Sequence, residues 1–171
     1  MSVFPRPRVV ISRCIDFDSC RYNGKVIRAS LREKLEPLVE LRPICPELEI
    51  GLGVPRDPVV LERGESGTRM IQPSTGRDLT GAMRSFSTRF LDDLDEVDGF
   101  ILKSRSPSCA VRDYDGGPGL FATHVRERFP GAVIEDEARL ADERVRESFL
   151  KKLFEHAASR HAVAGKLPPS R

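Results

Sequence analysis

The hydrophobic residues of the chain occur in short runs that alternate with segments of helical periodicity. Residues 8–12, "RVVIS", form a continuous β-branched run, which is typical of a parallel strand buried on both faces. Comparable runs lead to Ile44, lie within "VDGFILKS" (97–104) and form "AVIED" (132–136). The pattern therefore predicts four short core strands that are separated along the chain.

The segments between these strands carry apolar residues at helical spacing. Leu31, Leu35 and Leu38 predict a helix from Ser30 to about Val39, with Ser30 as its cap. Further helices are predicted for 77–94, 119–130 and 141–160. Strands that alternate with helices indicate a parallel sheet covered on both faces.

Two other segments complete the predicted fold. "PVVLERGESGTRMIQP" (58–73) has the pattern of two short strands around a turn that contains Gly and Ser, and "GLGVPRDP" (51–58) is a loop. The predicted fold class is α/β, a single-domain Rossmann-like parallel sheet flanked by helices, with a small β-hairpin insertion. We expect one domain over residues 1–160 and a flexible tail over 161–171.

Composition narrows the possible functions only slightly. The chain has 171 residues, of which 39% are hydrophobic and 32% charged, and its net charge of +2 gives no polyanion-binding signal. The apolar stretches are far shorter than the roughly 20 residues that a membrane span needs. The N-terminus lacks the apolar core of a signal peptide, so we expect a cytoplasmic protein without membrane association.

Three of the four cysteines follow predicted strands. Cys14, Cys45 and Cys109 come just after strand ends, and ligands of open parallel sheets bind outside those carboxyl ends. We therefore expect the three thiols to meet at one edge. The alternative is three buried cysteines that act as small apolar residues, but each lies among Pro, Ser, Arg or Glu rather than inside an apolar run.

Converging thiolates can hold zinc or an iron–sulfur cluster. The chain has no C-x-x-C pair, which weakens the prediction of a structural zinc site. Cys20 is either a fourth ligand or a cysteine outside the metal site. Two alternatives remain open at this point: a structural cluster or zinc site in a nucleic-acid-binding protein, and a thiol redox pair formed by Cys14 and Cys20.

Polar residues near these cysteines are candidates for binding and catalysis. Glu47 follows Cys45 by two residues and is a candidate acid–base group. Ser106 and Ser108 directly precede Cys109 and either bind a ligand or shape the turn. Basic residues that could stabilise a cluster or bind an anion are Arg13, Arg21 and Arg105. "TGRDLTG" (75–81) would either cap a helix or present N–H groups to a phosphate.

An ordered set of motifs resembles a known family. "ISRC", "CRYNG", "CPELEIGLGVPRDP", "QPSTGRDLT", "GFILKSRSPSC" and "IEDEARL" resemble the thiouracil desulfurase (TudS-like) family over about Val9 to Leu140. "ISRC", "GLGVPRDP" and "LKSRSPSC" are most similar to RudS-type proteins, which are linked to removal of 4-thiouridine from tRNA. We expect no counterpart of their second domain after the helix at 141–160.

The resemblance implies a function and a set of site residues. It implies a 4Fe–4S cluster held by Cys14, Cys45 and Cys109, and non-redox desulfuration of 2-thiouracil, 4-thiouracil or 4-thiouridine to uracil or uridine and sulfide. The family's functional glutamate and serine correspond to Glu47 and to the Ser106–Ser108 turn, where Ser108 is preferred. The implied partner is a small thiolated pyrimidine, with tRNA as a further candidate, and the oligomeric state is left open.

Overall fold

A four-stranded parallel sheet forms the centre of the protein. The computed structural model describes residues 5–112 and 114–165. The strands are β1 (Arg8–Ser12), β2 (Glu40–Ile44), β3 (Val60–Gly64), β4 (Gly67–Gln72), β5 (Arg77–Asp78), β6 (Gly99–Leu102) and β7 (Val133–Asp136). The helices are α1 (Leu31–Leu35), α2 (Pro46–Glu49), α3 (Thr80–Asp92), α4 (Leu120–Arg128), α5 (Glu137–Leu140) and α6 (Glu143–Ala164). The central sheet has the order β2-β1-β6-β7, with every neighbouring pair parallel.

The two faces of the sheet bury alternate residues of the same strand, as the two-residue period of a strand requires. Val10 of β1 packs in the core cluster that contains residues of α3 and α4. Val9 and Ile11 pack in the cluster on the other face, with residues of α1 and α6. The predicted α/β class with a helix-flanked parallel sheet is therefore confirmed.

The predicted hairpin forms a separate three-stranded sheet. β3 pairs with β4 in antiparallel fashion, and β4 also pairs with the two-residue strand β5. The sequence analysis missed β5 because two residues carry no periodicity. The predicted helix over 77–94 was wrong at its start for the same reason, since Arg77 and Asp78 belong to β5. At the start of α3, the Thr80 amide donates to Asp78 Oδ1 at 3.0 Å.

The first helix is shorter than predicted and has a different cap. It spans Leu31–Leu35 instead of 30–39. Ser30 has a left-handed φ of 55°, whereas a side-chain cap normally needs an extended backbone. The carboxylate of Asp16 takes that role by accepting the amides of Ala29 at 2.6 Å and Leu31 at 2.7 Å.

The last helix is longer than predicted. α6 begins after Asp142, whose side chain accepts two amides of the first turn, and it continues to Ala164. Residues 161–164, which the sequence analysis placed in the tail, are helical, while 166–171 lie outside the described residues. Among residues 5–112 and 114–165, no helix is long and apolar enough to cross a membrane.

A buried aspartate connects α6 to the sheet. Asp98 directly precedes β6 and is fully buried. Its carboxylate accepts the Arg8 amide at 2.8 Å and the Arg160 guanidinium at 3.0 Å, and its other oxygen lies 2.8 Å from His156 Nδ1. This contact lies at the amino ends of the strands, away from the edge at which the cysteines are expected.

Candidate active site

A cavity of about 290 Å³ lies at the carboxyl ends of the neighbouring strands β2, β1 and β6. Cys14, Cys20, Cys45 and Cys109 all line it. All four are free thiols. The structure therefore brings together the three cysteines that the strand pattern places at one edge, and it adds Cys20.

The chain order explains how each cysteine reaches this edge. Cys14 follows β1 by two residues, and Cys45 directly follows β2. Cys109 lies beyond β6 in a turn that the start of α4 holds in place. In this turn the amides of Leu120 and Ala122 donate to the carbonyls of Pro107 at 2.9 Å and Ser108 at 3.0 Å.

Gly119 permits this close approach between α4 and the turn of Cys109. A Cβ atom at Gly119 would lie 2.5 Å from the carbonyl carbon and oxygen of Ser108 and 2.9 Å from the amide of Ala110. A Cβ atom essentially never comes that close to a non-bonded heavy atom, and backbone atoms cannot rotate away as a flexible side chain can. Glycine at position 119 is thus required by packing rather than by an unusual backbone angle.

The pKa values of Cys109 and Cys45 are raised above that of an ordinary thiol. Burial raises the pKa of Cys109 to about 12, although a hydrogen bond from Ser12 acts in the opposite direction. A hydrogen bond with Cys20, followed by burial, raises the pKa of Cys45 far above its ordinary value. Thiolate ligands must be deprotonated, so binding of a metal centre here would release protons.

Cys20 lies between two of the expected ligands. Its hydrogen bond with Cys14 is the main cause that raises the pKa of Cys20 to about 11, while a hydrogen bond with Cys45 lowers it. The side chain is only 2% exposed. Cys20 is therefore within thiol–thiol hydrogen-bonding reach of Cys14 and Cys45, two of the expected ligands. The sequence spacing alone did not reveal this contact.

The donor set fits a thiophilic metal centre. Four sulfur atoms at one edge, with no competing histidine on the cavity wall, form the soft set that iron–sulfur clusters and zinc use. In the part of the chain that the structure describes, no three His, Cys, Asp or Glu residues are grouped as a single metal ion would require. A multi-iron cluster places less strict demands on grouping, because each thiolate binds a different iron.

Glu47 and Ser108 form a buried hydrogen-bonded pair in the same cavity. The Ser108 hydroxyl donates to Glu47 Oε1 at 2.9 Å, and its 3.8 Å approach to Cys109 Sγ is the weaker of its two contacts. Ser106 Oγ lies 3.1 Å from Ser108 Oγ and accepts the Cys109 amide at 3.0 Å. Because Ser108 gives its only hydroxyl proton to the carboxylate, Ser106 donates to Ser108 in turn.

Arg56 is a site residue to which the sequence analysis gave no role. Its guanidinium donates to Glu47 Oε2 from Nε at 2.8 Å and from Nη2 at 2.7 Å. The residue lies in "GLGVPRDP", so the motif resemblance contained it, but residue spacing gave no sign that it would reach Glu47.

The predicted basic residues are also present around the cavity. Arg13, Arg21 and Arg105 line it, together with Lys103. Arg13 forms an ion pair with Asp18 at 2.8 Å, and the Arg21 guanidinium lies 5.9 Å from the centre of the Tyr22 ring. The cavity therefore has positively charged walls in addition to its four sulfurs.

The segment 75–81 has no part in this cavity. Thr75 lies in the turn before β5, where its hydroxyl donates to Gln72 Oε1 at 2.9 Å. No residue of the segment 75–81 is among those that line the cavity. The structure thus favours the plain capping alternative over the phosphate-binding one for this segment.

Comparison with known proteins agrees with this arrangement. A family model described as 2-thiouracil desulfurase matches residues 9–137, a span that contains all four cysteines, Glu47 and Ser108. The chain belongs to the 2-thiouracil desulfurase family. The resemblance seen in the sequence motifs is thereby confirmed at the level of the family. Helix α6 lies beyond the matched residues.

Two individual relatives extend the comparison. An uncharacterized protein, YbbK of Bacillus subtilis (strain 168), is 32% identical to the chain, over 59% of the chain and 72% of that protein. A solved structure described as the [4Fe-4S]-dependent thiouracil desulfidase TudS aligns with a TM-score of 0.61 and 22% identity. The alignment covers 84% of this chain and 99% of that one. At this identity the structural likeness shows the shared fold.

Proposed function

We propose that the protein is a desulfurase that replaces the sulfur of a thiolated uracil with oxygen, without net oxidation or reduction. The observation that carries the proposal is the meeting of Cys14, Cys45 and Cys109 with the Glu47–Ser108 pair in one cavity. The family match and the described function of the TudS relative support it. The products would be uracil, or uridine from the nucleoside, and sulfide.

The proposed cofactor is a 4Fe–4S cluster held by Cys14, Cys45 and Cys109. Three thiolates would leave one iron of such a cluster without a protein ligand, and a soft, Lewis-acidic metal there would supply affinity for a thiocarbonyl sulfur. The protein must supply three deprotonated thiols and a cavity that excludes bulk water. A hydrogen bond from Ser12, which lowers the pKa of Cys109, would assist the deprotonation of one of these thiols.

The chain's own residues would handle water and protons. Hydrolysis forms a carbon–oxygen bond from water and breaks the carbon–sulfur bond, and the water proton must be accepted as the bond forms. The Glu47 carboxylate, with Oε1 directed at Ser108, is placed to accept that proton through the serine hydroxyl. This proton and the second proton of the water leave with the sulfur as hydrogen sulfide, so that C=S and H2O give C=O and H2S. Ser106 would orient Ser108 rather than react itself.

The cavity size bears on the substrate. The cavity of about 290 Å³ is just below the roughly 300–1,000 Å³ usual for small-molecule sites, and the proposed cluster would occupy part of it. We therefore propose a free thiouracil base as the first substrate to test, in keeping with a cytoplasmic small-molecule enzyme. A 4-thiouridine in tRNA would have to enter as a single extruded base, with arginines at the rim to contact its phosphates.

One anaerobic experiment tests the proposal. The protein would be reconstituted with iron and sulfide, and sulfide release would be measured from 2-thiouracil, 4-thiouracil, 4-thiouridine and 4-thiouridine-containing tRNA. We expect iron binding and release from at least one free base. A protein that binds zinc instead of iron, or binds iron and releases no sulfide from any of the four, would favour the structural-site alternative.

A further inference from the structure

Arg56 forms a buried fork on the carboxylate that the proposed reaction uses. Its side chain is 7% exposed, and both Nε and Nη2 bind the same Glu47 oxygen, Oε2. Charge-assisted contacts of this kind are short and hold a carboxylate in one orientation. Glu47 therefore has one oxygen occupied by arginine and one, Oε1, left for Ser108.

The third nitrogen of Arg56 contacts two other segments of the cavity wall. Nη1 donates to the Cys20 carbonyl at 2.8 Å and to the Gly53 carbonyl at 3.2 Å. The Arg56 amide also donates to the Tyr22 carbonyl at 2.9 Å. The guanidinium is thus held by backbone groups that do not react, and it has little freedom to move when substrate enters.

We propose that Arg56 is a positioning residue for the desulfuration, and the inference rests on the proposed function. Arg56 fixes which carboxylate oxygen of Glu47 faces Ser108. Ser108 then has a single strong acceptor, and its hydroxyl orientation is set. The side-chain contacts of Arg56 described above are with Glu47 and with two backbone carbonyls, so Arg56 would act through Glu47.

A lysine at position 56 would separate positioning from charge. Lysine keeps the positive charge but presents a single ammonium group, which cannot hold Glu47 and both carbonyls at once. Arg56→Lys should therefore keep cluster content and leave KM within about twofold. Its kcat should fall by about 10- to 100-fold, as expected when a reacting group is misplaced by about 1 Å.

The control and the second variant exclude a purely structural role. Arg160→Lys changes another arginine that pairs with a buried carboxylate, Asp98, at the opposite edge of the sheet. It should lower the melting temperature without changing kcat. In a Glu47→Gln background, Arg56→Lys should cost less than about a further twofold in kcat, because a residue that acts through Glu47 has nothing left to position.

A crystal structure of Arg56→Lys gives a readout that does not depend on turnover. The Glu47 Oε1 to Ser108 Oγ distance should lengthen from 2.9 Å beyond hydrogen-bonding range. The positioning role would be overturned if Arg56→Lys left the Glu47–Ser108 distance or kcat unchanged, or if Arg56 variants failed to fold or to bind iron. It would also be overturned if Arg56→Lys lowered kcat by its full loss of about 10- to 100-fold in the Glu47→Gln background. Absence of sulfide release from the wild-type protein would instead overturn the proposed function, and the distance measurement would still decide the role of Arg56.

Discussion

Ser108 and Glu47 are 61 residues apart in the sequence, yet the serine hydroxyl lies 2.9 Å from the glutamate carboxylate inside a cavity lined by four cysteines. Each residue is next or nearly next to a cysteine, because Glu47 follows Cys45 by two positions and Ser108 precedes Cys109. The elements that bring the sulfurs together therefore bring the hydroxyl and the carboxylate together as well. The proposed metal ligands and the proposed proton-transfer pair therefore lie in the same short segments.

Removing either member of this pair should reduce turnover while leaving the metal site intact. Glu47→Gln keeps the shape of the side chain but not its basicity, and Ser108→Ala removes the hydroxyl. A general acid–base group contributes about 10²- to 10⁴-fold in rate, so we expect losses of that order in sulfide release. Cluster absorbance and turnover would be measured on the same anaerobic preparation.

Ser66→Ala, in the exposed turn of the hairpin, is the matched control and should change neither quantity. Turnover of Glu47→Gln within about twofold of wild type would show that the carboxylate takes no part in proton transfer. A faded spectrum in Glu47→Gln would instead assign the residue to cluster support.

Cys20 should differ from the three proposed ligands when it is substituted. Cys14→Ser should lose iron and activity, since a three-thiolate site cannot spare a ligand. Cys20→Ser should keep the iron content and most of the activity, because serine can still hydrogen bond to the thiols that Cys20 contacts. Iron analysis and sulfide release would be compared for the two variants. Equal losses of iron would point to a closed four-cysteine site, without the open position that the reaction needs.

The sequence predicted the central sheet well because its signal is local. Residues 9–12 are buried on both faces of the sheet, and a short β-branched run of this kind is typical of a parallel strand. The helix ends were less predictable, because distant residues determine them. Asp16, which lies 15 residues before Leu31, supplies the cap that the local pattern assigned to Ser30. Nothing in the spacing of these residues indicates that contact.

The site could be predicted only in part for a related reason. Strand order places Cys14, Cys45 and Cys109 at one edge, and this follows from the α/β pattern. The contact of Arg56 with Glu47 depends on the path of the loop over 51–58, which has neither helical nor strand periodicity. The need for glycine at position 119 likewise depends on how closely two backbones approach, which a sequence does not show.

Gly119→Ala should damage the metal site from outside the cavity. The added methyl group would lie 2.5 Å from the Ser108 carbonyl, so α4 and the turn of Cys109 would have to move apart. Overpacking of this kind costs about 1–3 kcal/mol, and we expect a lower melting temperature together with reduced iron content. Gly81→Ala is the matched control. Gly81 lies in α3 with no atom within 4 Å of its Cβ position, so alanine should stabilise the helix by about 0.5–1 kcal/mol.

The buried Asp98 should make stability depend on pH in the acid range. Burial opposes ionisation of this carboxyl, but hydrogen bonds from Arg160, the Arg8 amide and His156 prevail and lower its pKa. The unfolded chain, in which an aspartate has a pKa of about 3.9, therefore binds more protons than the folded protein below that pH. The stabilisation from Asp98 is fully present above pH of about 4 and is lost as the pH falls through the lower folded value.

Asp98→Asn tests this dependence by removing the charge and keeping the shape. Hydrogen bonds to charged groups contribute about 1.5–3 kcal/mol, so the variant should lose stability of that order at pH 7. Urea unfolding of both proteins at a series of pH values checks the prediction. The difference between wild type and variant should shrink as the pH falls below about 4, because protonation removes the same charge in the wild type. Burial opposes ionisation of the Glu137 carboxyl, but hydrogen bonds from Lys103 and Ser104 prevail and lower its pKa. Glu137 should therefore keep its own acid dependence of stability in both proteins. A difference that stayed constant down to the lowest pH would show that Asp98 stabilises the fold through its shape and not through its charge.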